Sequence, residues 1–195
     1  GSRTWGCSAP LGSGQQATVE VAQRGADVGL RLADGRASHG QRNAIACALA
    51  FPSASVDAVD VSARALEVAR RNVARHGVGD RLRLLQGDVF EPVGARRYDL
   101  VVSNPPYVSD DEMRDLPQEY RHEPDLALRA GHDGLDVVRR ILAGAREHLE
   151  PSGALFVEVG DSDERLQRAF PALPLTWLEF EHGGGGVFMI SGSEL

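Results

Sequence analysis

The chain has 195 residues, 42% of them hydrophobic and 25% charged, and carries a formal net charge of −7. That is enough for one domain with a proper core, and the acidic balance argues against a phosphate-tracking nucleic-acid binder while suiting a basic protein partner. Cys7 and Cys47 form no disulfide framework, the six histidines show no metal spacing, no apolar run reaches a membrane span and no signal pattern opens the chain, so the expectation is a cytoplasmic protein with no metal and no membrane.

Residues 1–43 resist assignment. Gly1-Ser2 reads as a tag remnant, Leu11-Gly12-Ser13-Gly14 as a linker, and Asp27–Leu32 as a weak strand. Regular signals begin at Ala44. Ala44–Ala50 is a small-residue helix that could pack closely, and Ser55–Val61 is a β-branched strand carrying Asp60 at its end. Ser62 caps a helix over Ala63–His76, which Gly77 stops. Arg81–Gln86 is a strand running into Gly87-Asp88, and Tyr98–Ser103 is a nearly continuous apolar strand of the kind buried on both faces. Leu135–Leu149 has one apolar stripe at helical spacing. Pro151-Ser152-Gly153 reads as a turn into a buried strand, Ala154–Val159, and Ser162 or Asp163 caps a short helix ending near Phe170. Thr176–Glu181 and Val187–Ser191 flank Gly183–Gly186 as an antiparallel hairpin.

Alternating β and α signals predict an α/β fold, a mostly parallel sheet with helices on both faces. Functional sites in such folds lie at the carboxyl ends of the strands. Asp60, Asp88 and Asn104 all fall there. Asp60, with Val61 beside it, is placed to accept hydrogen bonds from ribose hydroxyls. Asp88, with Val89 and Phe90 beside it, is placed to accept from an adenine amine.

Asn104-Pro105-Pro106-Tyr107 follows the apolar strand and opens a polar loop. An amide or aromatic amine nitrogen is a poor nucleophile because its lone pair is delocalised. Acceptors that take both of its N–H bonds hold the nitrogen and favour positive charge building on it. The Asn104 side-chain carbonyl is one acceptor and the Pro105 backbone carbonyl a second. Asn104 and Pro105 each precede a proline and are pushed toward extended geometry, while proline fixes its own φ. The corner is therefore stiff before substrate arrives, as near-attack positioning requires. Tyr107 offers a flat face and a hydroxyl handle. The chemistry that needs such a grip is methyl transfer to a planar nitrogen from the sulfonium of S-adenosylmethionine (SAM), with Asn104 also bordering the cofactor.

The chain from Ala44 onward resembles the class I SAM-dependent methyltransferases that modify glutamine side chains, and among them most the PrmB type, which acts on protein three of the large ribosomal subunit. The resemblance is carried by Asn104–Tyr107, by Leu116-Pro-Gln-Glu-Tyr-Arg-His-Glu-Pro-Asp-Leu-Ala-Leu128, by Gly131-His-Asp-Gly-Leu-Asp136, by Glu158-Val-Gly160, and by Thr176-Trp-Leu-Glu-Phe180 with Gly186-Val-Phe188. It implies a Rossmann-like, seven-stranded, mostly parallel sheet, SAM held by Asp60 and Asp88, and a substrate amide held by Asn104 through Tyr107. Its type of partner is a basic ribosomal protein. Release-factor glutamine is the nearest alternative substrate. Adenine-N6 DNA methyltransferases use the same tetrapeptide on a flipped base, though the charge balance weighs against them, and a non-catalytic domain that keeps only its partner is a third reading.

Two features depart from that family. No match to its small N-terminal helical domain is seen. Its glycine-rich loop, an acidic residue followed by Thr-Gly-Ser-Gly, should lie just before Ala44, where this chain has Gly35-Arg-Ala-Ser-His-Gly-Gln-Arg-Asn43. The codons of Arg36–Arg42 read one nucleotide later can encode Glu-Leu-Ala-Thr-Gly-Ser-Gly, so residues up to about Asn43 are expected to be a frame-shifted or degenerate form of the first strand and loop.

Overall fold

The computed structural model describes residues 16–20, 39–107, 131–180 and 185–195, with the backbone alone for residues 16–20 and 39–42. Seven strands form one mixed sheet in the order β3-β2-β1-β4-β5-β7-β6. They are β1 (Gln16–Glu20), β2 (Ser55–Asp60), β3 (Leu82–Gln86), β4 (Tyr98–Ser103), β5 (Leu149–Glu158), β6 (Thr176–Leu178) and β7 (Val187–Ser191). The pairings from β3 through β5 are parallel, and β7 runs antiparallel to both β5 and β6.

Among the described residues four α-helices flank the sheet: α1 (His39–Ala50), α2 (Ala63–His76), α3 (Asp136–His148) and α4 (Asp163–Ala169). Strand alternation divides the core between two faces. On one face Ala44, Ile45 and Ala48 of α1 and Val73 of α2 pack with Val56, Ala58 and Leu82. On the other, Val138, Ile141 and Ala145 of α3 and Leu166 of α4 pack with Val59, Val101, Leu155, Val157 and Phe188. Each fully buried Val, Leu or Ile side chain here contributes about 1.5–3 kcal/mol relative to exposure.

The caps of α2 form as the sequence predicts. Ser62 Oγ accepts from the Ala65 N–H at 3.2 Å, and Gly77 closes the helix at φ +65° with its N–H on the Ala74 carbonyl. Three readings change. The centre of the sheet is occupied by Gln16–Glu20, paired with β2 on one side and β4 on the other; five residues with polar ends give too short a pattern to stand out. Asp27–Leu32, the strand sought from sequence, lies outside the described residues. Helix α1 begins at His39, so His39–Asn43 are helical where a glycine loop was looked for. Finally, β5 starts at Leu149, ahead of the expected Pro151-Ser152-Gly153 turn. The pairing jumps from Tyr98↔Leu149 to Leu100↔Ala154, and the turn residues are absorbed into that irregularity. Gly153 is required there, since a Cβ would lie 2.8 Å from the Tyr98 carbonyl oxygen.

The amino end of the sheet is pinned by a buried carboxylate. Asp57 on β2, 2% exposed, accepts from Arg83 Nε and Nη2 at 2.7 Å each, from Arg96 at 3.2 Å and from the Tyr98 hydroxyl at 2.8 Å. The bidentate guanidinium and added donors satisfy an acid that would otherwise be costly to bury.

Candidate active site

The sheet order reverses at β1, whose neighbours are β2 on one side and β4 on the other. Glu20 of β1 aligns with Val59 of β2 and Ser103 of β4. Asp60 and Asn104 each follow by one residue, so they stand at the same height on either side of β1. Two strand spacings put them roughly 10 Å apart. This reversal is where open α/β sheets bind ligands.

Asp60 is buried at 2% exposure, and its Oδ1 accepts from the Ser62 N–H at 2.7 Å. The backbones leaving β2 and β3 are tied by the Gly87 N–H on the Asp60 carbonyl at 3.2 Å. Val61 is 38% exposed at this edge. Asp88 is more open, its side chain 46% exposed and ion-paired with Arg140 of α3. Val89 adopts φ +46°, a left-handed conformation that costs a β-branched residue of order 1–3 kcal/mol and is worth noting at a site. Phe90 does not line this edge. It is 7% exposed, stacks on His148 with centroids 4.5 Å apart, and fits against Gly144, where a Cβ would sit 2.6 Å from its ring.

The proline corner is built more tightly. Asn104 is 8% exposed, and Pro105 and Pro106 are buried. Parallel pairing of Ser103 with Val157 brings the exit of β4 alongside the end of β5. There the Asn104 Nδ2 donates to Glu158 Oε2 at 3.0 Å. The Tyr107 ring lies on Gly160, whose Cβ would be 2.6 Å from Tyr107 Cε2. Gly186, at φ +67°, lies in turn on Gly160, with space for a Cβ only 2.0 Å from the Gly160 carbonyl oxygen. The Val159 N–H on the Gly186 carbonyl at 2.7 Å closes the stack. Ser162 does not cap α4 with its side chain as the sequence suggested. Its Oγ donates to the Tyr107 carbonyl at 3.3 Å and accepts from Arg165 at 2.8 Å.

Burial pushes the Glu158 carboxyl up to about 7. Burial, then the charges of Glu158 and Asp161, push the Tyr107 phenol up, so it remains a hydroxyl donor at neutral pH. Burial also pushes the Cys47 thiol up to about 11, which keeps it protonated and poorly nucleophilic. Glu158 is the residue the sequence reading quoted without giving it a task. The signal was available, an acid at the end of a buried strand, but which strand neighbours β4 could not be read from the sequence. The Leu116–Leu128 block lies outside the described residues.

Residues 42–120 match the family model described as "Methyltransferase small domain". The chain is 54% identical over 152 residues to the ribosomal protein uL3 glutamine methyltransferase of Bradyrhizobium diazoefficiens, covering 78% of this chain and 48% of that protein. It is 51% identical over 152 residues to the protein of the same name from Bordetella pertussis, covering 78% and 51%. The chain thus spans about half the length of the curated relatives it matches. Among solved structures it is similar in fold to a methyltransferase from Pyrococcus furiosus (TM-score 0.58, 19% identity, 92% of this chain and 75% of that one). It is also similar in fold to TrmN from Thermus thermophilus (TM-score 0.53, 18% identity, 91% and 44%).

Proposed function

We propose that this chain is the catalytic part of a SAM-dependent methyltransferase that modifies the side-chain amide nitrogen of a glutamine in a large-subunit ribosomal protein. The identity of about half the aligned residues with the uL3 glutamine methyltransferases supports the substrate class. The observation that carries the chemistry is the bond from Asn104 Nδ2 to Glu158. With its NH₂ engaged there, the Asn104 amide keeps its carbonyl oxygen for a substrate N–H, and the Pro105 carbonyl takes the other. Buried prolines hold both acceptors in place before binding, so little ordering is left to do in the reaction.

Asp60 and Asp88 suit the cofactor's ribose and adenine, being carboxylates at adjacent strand ends beside the sheet's reversal point. SAM brings a methyl group already activated on a sulfonium, so the protein need supply neither metal nor covalent nucleophile. The chain's own work is to hold the glutamine nitrogen in line, exclude water with Pro105, Pro106 and Tyr107, and let the surplus proton leave to water, since a methylated, ammonium-like amide is strongly acidic.

Incubation with SAM and either the free ribosomal protein or a release factor, followed by mass spectrometry of both, tests the reading. A gain of one methyl on a glutamine of the ribosomal protein is expected. Methylation of the release factor alone would replace the substrate, and methylation of neither would remove the activity.

A further inference from the structure

We propose that Glu158 is a positioning residue whose ionised carboxylate decides which end of the Asn104 amide faces the substrate. This rests on the methyl-transfer reading above and adds a part to it. An asparagine amide has two ends of nearly equal shape and opposite hydrogen-bonding sense. In the proline corner either end could fill the same space, yet only the carbonyl end can accept a substrate N–H. Ionised Glu158 accepts hydrogen bonds and donates none. It therefore favours the Asn104 NH₂ on its own side, the arrangement present at 3.0 Å, and repels the carbonyl oxygen from that position.

Protonated Glu158 has an O–H to give. The Asn104 carbonyl can then turn to receive it, and the NH₂ that replaces it would meet the substrate's NH₂ donor to donor. The corner would be intact in shape and wrong in polarity. The β4–β5 register makes this coupling direct, since Asn104 and Glu158 each follow the paired residues Ser103 and Val157 by one step. The Tyr107 phenol feels the charges of both Glu158 and Asp161, from the turn after β5, and the nearby Ser162 Oγ accepts from Arg165 of α4. Across β5, β7 pairs the uncharged Val187 with Glu158. Tyr107 and Asp161 bring no positive charge, the Arg165 guanidinium donates to Ser162 Oγ, and burial lifts the Glu158 carboxyl to about 7, within reach of small pH changes.

The test follows the Asn104 side-chain amide by nitrogen-15 NMR across about pH 5 to 9, in wild type and in E158Q, beside the pH dependence of methyl transfer. In wild type the Asn104 NH₂ resonances should titrate with a midpoint near 7, and kcat should rise through the same midpoint. In E158Q, whose amide can donate or accept, the resonances should not titrate. There kcat should be flat over that range and lowered on the order of ten- to a hundredfold, with KM for SAM unmoved. Asn104 resonances that stay flat in wild type, or an E158Q profile that still rises through neutrality, would overturn the proposal. Absence of methyl transfer in wild type would instead remove the underlying activity, and the amide titration would still decide the role of Glu158.

Discussion

The two halves of the sheet's carboxyl edge are built on different principles. On the β4–β5–β7 side, close contacts among the described residues shape the corner: Asn104 on Glu158, Tyr107 on Gly160, Gly160 under Gly186. On the β2–β3 side, Asp88 is half open and borrows a partner from α3, while Val61 faces solvent. The first half is rigid because its prolines fix φ, while its glycines, lacking a Cβ, let ring and backbone pack in direct contact. The second half holds its carboxylates at strand ends, Asp60 buried and Asp88 half exposed. Under the function proposed above, a grip for a planar amide would be shaped in advance, whereas a site for a large flexible cofactor would be completed by the cofactor itself.

Three substitutions would break or sharpen that contrast. Asn104→Ala on the rigid side should lower kcat at least about a hundredfold, as loss of one preorganised polar group does, while SAM affinity by calorimetry stays nearly intact; unchanged turnover would refute the role given to Asn104. Gly186→Ala should cost about 2–3 kcal/mol, because the new methyl would press on the Gly160 carbonyl at a φ that side chains rarely adopt, read as a melting temperature lower by roughly 5–10 °C. A melting point equal to wild type would show that the corner has slack after all. Arg140→Ala on the open side should do least, tightening SAM by less than about fivefold as Asp88 is released from an exposed ion pair; a large loss of affinity would mean that Arg140 itself holds the cofactor.

The rigid half was also the more legible one. Asn104–Tyr107 announces itself because proline chemistry is local, and the ends of β4 and α2 follow from apolar run, cap and stop residues within a few positions. What stayed hidden depended on neighbours far along the chain. Glu158 acquires its role only when β5 lies beside β4, and Phe90 leaves the expected cofactor edge because Gly144, on a helix more than fifty residues away, makes room for its ring. The central strand was missed for a further reason: a strand of five residues draws its stability from the two neighbours it pairs with, and Gln16–Glu20 shows that only through its register with β2 and β4.

Strand β7 comes after β6 in the chain yet lies between β5 and β6. During synthesis the ribosome releases β6 first, and that segment has no permanent berth until its successor has slotted in. The same arrival delivers Gly186 to Gly160, and with it the surface under Tyr107. A nascent chain stalled within β7 would thus carry the proline corner before Gly186 is held against Gly160, and the packing beneath Tyr107 would be completed only at the last stage of folding.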